Sequence, residues 1–182
     1  MSAFFRAVYI ATLVLCTAVG FSQDIHFMRS YYADDFRDWI FFDAEDQEVG
    51  SLRARFQLKE DYSQWDFRVG ELSGFILQRW NGRANEWEIR SGNTFITVTA
   101  TWPGQFDSWR ITAKDTVYYL TRDRDPQDFN WELSYDQKTL CRIYNIYFRD
   151  PRDWEIEKFV EILDPTIEMT VLFLVGFYSV KK

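Results

Sequence analysis

His26 is the one histidine in the chain. It lies near the start of the expected folded domain, so imidazole acid-base chemistry or a multi-histidine metal site would rest on a residue expected to fray. The two cysteines, Cys16 and Cys141, give no disulfide framework. Cys141 sits in the apolar run Thr139-Leu140-Cys141-Arg142-Ile143. It reads as a buried small hydrophobe, with a reactive thiol or an intermolecular disulfide as the alternatives. Carboxylates are abundant, 28 against 21 lysines and arginines. The cluster Asp43, Glu45, Asp46, Glu48 lacks the alternating oxygen ligands and distal bidentate Glu of a calcium loop, and reads as a solvated hairpin tip. Arg122-Asp123-Arg124-Asp125-Pro126 and Arg149-Asp150-Pro151-Arg152-Asp153 alternate sign beside proline, which suggests surface ion pairs worth little each. Two carboxylates facing across a cleft could hydrolyse a glycosidic bond, but their separation is a property of the fold. Neither a glycine-rich phosphate loop nor a nucleophile elbow is present. The expectation is therefore a protein that is not an enzyme, with no catalytic, cofactor-binding or metal-binding residue assigned and its binding residues unknown.

The elements that would position any site are announced by tryptophan. Trp65, Trp87, Trp109, Trp131 and Trp154 are spaced 22, 22, 22 and 23 residues apart, an internal repeat the size of one supersecondary unit. Aligned on them, the units read WDFRVGELSGFI, WEIRSGNTFITV, WRITAKDTVYYL and WELSYDQKTLCRI. Each is a strand, a polar turn and a second apolar strand. Trp87 with Ile89, and Trp109 with Ile111, are two apart and share one strand face, while Glu88 and Arg110 point to the other. Gly70, Gly92, Lys114 and Asp136 each fall five residues after their tryptophan, where a tight reversal needs tolerance of positive φ. Asn81-Gly82, Pro103-Gly104, Asp125-Pro126 and Asp150-Pro151 punctuate the other end of the units. Trp80 and Trp102, themselves 22 apart, are expected to pair across strands of successive hairpins.

With 47% hydrophobic and 19% aromatic residues, the chain has the composition of one ordered domain with a large aromatic core. Its net charge of −7 argues against an electrostatic grip on nucleic acid, which requires a basic face. Residues 1–22 read as a secretory signal peptide: Arg6 gives a short positive region, 7–21 are mostly apolar, and small residues offer cleavage after Gly20 or Ser22. An uncleaved membrane anchor is the second reading, and lipidation at Cys16 fits poorly because Leu15 is large. Cleavage leaves a single domain, 23–182, one unit more acidic, in a periplasmic or extracellular setting. Ile156, Phe159, Val160 and Ile162 are expected to finish the last strand. Asp164-Pro165 then starts a helix over about 165–180, with Glu168 in its first turn and Lys181 and Lys182 beyond its end. That helix is apolar on every side and, at about 22 Å, short for a bilayer, so it belongs inside protein, filling a large barrel.

Five or six hairpins from Trp39 to Trp154, then Asp164-Pro165 and an apolar helix to Val180, resemble the tubby C-terminal superfamily, which includes phospholipid scramblases and plant LURP-one-related proteins. The resemblance covers nearly the whole mature chain. It implies a mainly β fold, a closed antiparallel barrel of about twelve strands, here built from 22-residue hairpin repeats, wrapped around a buried hydrophobic C-terminal helix. It carries no site residues. Tubby domains bind phosphoinositides through basic residues in the cytoplasm, whereas this chain is acidic and expected to be exported. Scramblases carry an acidic calcium segment near the helix that Asp164 alone does not reproduce. Three functions remain open: an exported non-catalytic binding or interaction protein with its site on loops at one barrel end and an unknown protein or lipid partner; a membrane-associated, scramblase-like lipid-binding protein; and a carboxylate-based hydrolase.

Overall fold

Alternation of one apolar with one polar residue after each tryptophan dictates strands with a dry face and a wet face, and twelve such strands form. In the computed structural model, which describes residues 24–56, 61–80, 82–123 and 130–180, they are β1 (Phe27–Ser30), β2 (Asp38–Phe42), β3 (Glu48–Ala54), β4 (Gln64–Val69), β5 (Leu72–Gln78), β6 (Glu86–Ser91), β7 (Thr94–Trp102), β8 (Gln105–Ala113), β9 (Thr116–Arg122), β10 (Trp131–Tyr135), β11 (Lys138–Asn145) and β12 (Asp153–Lys158), followed by the helix α1 (Pro165–Val180). Each strand pairs antiparallel with its chain neighbours, and β1 pairs with both β2 and β12 to close the barrel. The signal segment 1–22, Asn81, the Asp125-Pro126 turn, Lys181 and Lys182 lie outside the described residues.

The two ends of the barrel differ. At one end, even-numbered strands turn directly into odd-numbered ones. Gly70, Gly92, Lys114 and Asp136 take φ of 54°, 53°, 52° and 48° there, the left-handed conformation expected five residues after each tryptophan. The acidic segment 43–47 is likewise a hairpin tip, with the Asp43 carboxylate accepting from the backbone N–H of Glu45 and Gln47 at 3.0 and 2.8 Å. At the other end run the longer connections, except for the two-residue Pro103-Gly104 turn between β7 and β8. Trp39, Trp65, Trp87, Trp131 and Trp154 lie at or next to the start of their even-numbered strands there and Trp109 in the middle of β8, and all six are buried. Five of these indoles donate to the carbonyl three residues earlier, at 2.8 to 3.2 Å. The repeat thus ties five of the six connections to their strands by the same hydrogen bond, while the rings fill the core.

α1 occupies the lumen. Every residue from Thr166 to Tyr178 is buried, and its partners lie all round the wall. Gly176 faces Trp39 on β2, where an added Cβ would lie 3.0 Å from the indole. Phe173 packs against Trp65 on β4 and Trp87 on β6, centroids 5.5 and 4.8 Å apart, and Tyr178 against Trp109 on β8 at 4.4 Å. Trp131 on β10 donates to Ser179 Oγ at 3.0 Å, and Lys158 on β12 meets Glu168 at 2.7 Å. No helix lying outside the sheet could touch all six even-numbered strands. The N-cap forms as expected, Asp164 Oδ1 accepting from Thr166 and Ile167 N–H at 2.8 and 3.2 Å.

Two expectations need correction. β12 ends at Lys158, so Phe159, Val160 and Ile162 do not complete it. They form the connection to α1, where Ile162 is 83% exposed, because the chain must leave the wall to enter the lumen. His26 does not fray in its backbone: its N–H donates to Phe42 at 2.8 Å and its carbonyl accepts from Ile156 at 2.9 Å, since barrel closure supplies a neighbour on each side of β1.

Candidate functional site

Because α1 fills the lumen, contact with a ligand falls to the outer surface and the barrel ends. Of the thirteen exposed large hydrophobic residues among those described, eight sit on the long-connection end: Tyr31, Tyr32, Tyr62, Trp80, Trp102, Ile146, Tyr147 and Phe148. They come from five connections, counting Trp102 at the end of β7 with the β7–β8 turn, and closure through β1 and β12 makes those five consecutive around the rim. Exposed aromatic rings cost hydration free energy, and the gathering of eight of the thirteen exposed large hydrophobic residues at one end marks an interaction surface.

Local structure holds these rings outward. A register shift between Ala100 and Trp102 leaves Thr101 bulged, its hydroxyl 2.9 Å from that of Ser108, and aims Trp102 into solvent at 62% exposure. Trp80 lies in the bend after β5, donates to Glu86 Oε2 at 3.1 Å and carries the Arg79 guanidinium 5.6 Å from its centroid. Trp80 and Trp102 therefore do not pair across strands as expected. The residues that do face one another are Trp87 with Val98 and Trp109 with Ala100, inside the barrel. Tyr31 and Tyr32 meet edge to face at 4.6 Å, their turn held by Ser30 Oγ donating to the Tyr32 carbonyl at 2.7 Å. In the β11–β12 connection the Asn145 amide donates to the Tyr147 carbonyl, Arg152 pairs with Asp150 at 2.5 Å, and Arg149 covers Phe148 at 5.0 Å.

Charge separates the ends further. The tight-turn connections and the linker to α1 carry Asp43, Glu45, Asp46, Glu71, Asp115, Asp136, Glu161 and Asp164 against Lys114 alone. The described long connections carry Arg37, Arg55, Arg79, Arg83, Arg149 and Arg152 against Asp34, Asp35, Asp61, Asp123 and Asp150. Among the described residues the aromatic end is thus nearly neutral and arginine-bearing, on a chain that is acidic overall.

A second feature indents the wall beside this end. A groove of about 740 Å³ crosses the start of β10 between β9 and β11, lined by Thr121, Arg122, Asp123, Asn130, Trp131, Glu132, Arg142, Tyr144 and Asn145. Glu132 is fixed there by Thr139 at 2.9 Å and Arg142 at 3.0 Å. Burial pulls the Arg122 guanidinium below its ordinary pKa, and the nearby Asp107 charge offsets part of that. The carboxyls raised by burial, Asp38, Asp153 and Glu168, all lie outside this groove beside Arg53, Arg29 and Lys158.

The sequence missed a polar group at the mouth where α1 enters. Glu168 is buried, and Lys158 reaches both it and Asp24. The 2.7 Å approach of Lys158 to Glu168 Oε1 lies off the direction of an ordinary hydrogen bond. Burial depresses the Lys158 ammonium, but Glu168 and Asp24 more than restore it, and the net shift is upward. Cys141 is buried beside this group. Desolvation, aided by the Glu168 charge, pushes its thiol up to about 12, which keeps it protonated and unreactive. Among the described residues no group of three or more His, Cys, Asp or Glu is placed to hold a metal ion, and no helix is long and apolar enough to cross a membrane. Comparisons with models of known protein families, with curated proteins and with solved structures find no match.

Proposed function

We propose that this is a non-catalytic binding protein that recognises a macromolecular partner through the aromatic rim at the long-connection end. The observation that carries this is the concentration of exposed tyrosine, tryptophan and phenylalanine with arginine on five consecutive connections, the composition of protein interface hot spots. The filled lumen supports an external site, and the closed twelve-stranded barrel around a C-terminal helix supports a tubby-like ancestry. The signal-like segment 1–22 supports export to a periplasmic or extracellular setting.

The test is native purification from the host, comparing wild type with a Trp80→Ser, Trp102→Ser, Phe148→Ser variant of unchanged near-ultraviolet circular dichroism. The expected result is a partner mass retained by wild type and lost by the variant. A partner held equally by both, or by neither, contradicts the proposal. A second reading, docking to a lipid surface, is favoured by the same residues, since tryptophan and tyrosine suit the bilayer interface. It requires flotation of the wild type, and not the variant, with phospholipid vesicles.

A further inference from the structure

We infer that the groove across the start of β10 is a binding site for a neutral, polyhydroxylated ligand, a segment of oligosaccharide. This goes beyond recognition through the rim and does not depend on Trp80 or Trp102. At about 740 Å³ the groove falls in the range of small-molecule sites, about 300–1,000 Å³. Among the described lining residues the charges balance: Arg122 and Arg142 stand against Asp123 and Glu132. An anion site needs surplus positive charge and a cation site surplus negative charge, so this balance favours neither. What remains is a dense set of planar donors and acceptors. Arg142 and Arg122 donate, Glu132 and Asp123 accept, and the Asn130 and Asn145 amides do both. A sugar ring presents donor-acceptor hydroxyls along its edge and C–H groups on its faces, which matches planar polar groups combined with the ring of Tyr144.

The strands explain why such groups meet here. Trp131 is in register with Arg122, and Glu132 with both Thr121 and Arg142. Inward-facing and outward-facing positions of three adjacent strands therefore reach one notch, where β10 begins. The Arg122 guanidinium lies 5.9 Å from the Trp131 centroid, so the donor is held against a buried ring. Glu132 is held by Thr139 and Arg142, so its carboxylate is oriented before a ligand arrives. Tyr144 supplies an aromatic face on the wall. Asn145 ties the groove to the connection bearing exposed Tyr147 and Phe148, where a longer glycan would continue.

The test uses the full chain on a printed array of neutral and anionic oligosaccharides, followed by titration calorimetry with the strongest neutral binder. Wild type is compared with Glu132→Gln, Tyr144→Ala and Trp102→Ala, each checked for unchanged near-ultraviolet circular dichroism. The expected result is binding to neutral glycans, insensitive to salt, weakened about tenfold or more by Glu132→Gln and by Tyr144→Ala, and unchanged by Trp102→Ala. Absence of any neutral binder, binding confined to anionic glycans, or a neutral binder indifferent to both groove variants would overturn the inference. A neutral binder lost only with Trp102→Ala would overturn it too, and would place glycan recognition on the rim instead.

Discussion

Replacing Phe173 by alanine tests whether α1 is the plug of the barrel. The side chain is fully buried and its ring meets Trp65, Trp87 and Phe177 at 5.5, 4.8 and 5.6 Å. Phe→Ala in a core costs about 3–5 kcal/mol through lost transfer free energy plus the cavity left behind. Edge-to-face aromatic pairs add about 0.5–1.5 kcal/mol each beyond area, though the contributions overlap. The wall is a closed hydrogen-bonded sheet that cannot collapse into the gap, so the loss belongs at the upper end, about 4–5 kcal/mol. Against a domain stability of about 5–15 kcal/mol, the variant should be folded or marginal. Urea titration followed by near-ultraviolet circular dichroism reads the midpoint shift at constant slope. Ile162→Ala, at a residue 83% exposed, is the control and should stay within about 0.5 kcal/mol. A Phe173→Ala loss below about 1 kcal/mol, or equal to the control, would refute a helix packed in the lumen. If the variant does not fold, Phe173→Leu should give a smaller loss in the same direction.

Lys158→Met should cost about 3 kcal/mol, the lower end for a buried pair since Lys158 keeps some water contact, because it strands the Glu168 carboxylate; recovery in Lys158→Met, Glu168→Met would support this, and a neutral single variant would contradict it. Because the Lys158 pKa is raised in the folded protein, its contribution is complete below the unfolded value of about 10.4 and is lost as pH rises through the folded value. Alkaline urea midpoints should therefore fall less steeply in the double variant than in wild type, and identical slopes would exclude the linkage. In a Cys16→Ser background, Cys141 should react with a thiol reagent at pH 8 only as fast as the protein unfolds, since its thiol is buried and pushed up to about 12; rapid stoichiometric labelling of the native protein would contradict its burial. Gly74→Ala should lower stability by about 1–3 kcal/mol, the range for overpacking, because its Cβ would lie 2.3 Å from Phe67 Cζ and 2.4 Å from the Arg90 carbonyl oxygen. An unchanged urea midpoint would show that β4 and β6 are not held as described.

The barrel was legible because each hairpin repeats the same instructions. Trp87 and Ile89 face in, Glu88 faces out, and a residue tolerant of positive φ follows five positions after the tryptophan. The helix was legible from Asp164-Pro165 and an apolar run with no wet face. The rim was not, for a physical reason. Trp80 and Trp102 share the 22-residue spacing of the buried set, and only their position seven residues ahead of it, beside Asn81-Gly82 and Pro103-Gly104, distinguishes a ring at a connection from a ring in the core. The groove was hidden more deeply. Arg122, Glu132 and Arg142 converge through strand register across β9, β10 and β11, and register is a product of folding that no local spacing encodes. Lys158 and Glu168 likewise meet only because the chain reverses into the lumen.

Site-specific photo-crosslinking in the native host tests the assignment of the recognition surface most directly. A benzophenone amino acid replaces Trp102 on the aromatic rim in one strain and Glu71 on the acidic tight-turn end in another. A discrete adduct from position 102, with none from position 71, is the expected result. Adducts from position 71 alone, or none from position 102 while the folded protein is present at normal abundance, would contradict placing recognition at the long-connection end.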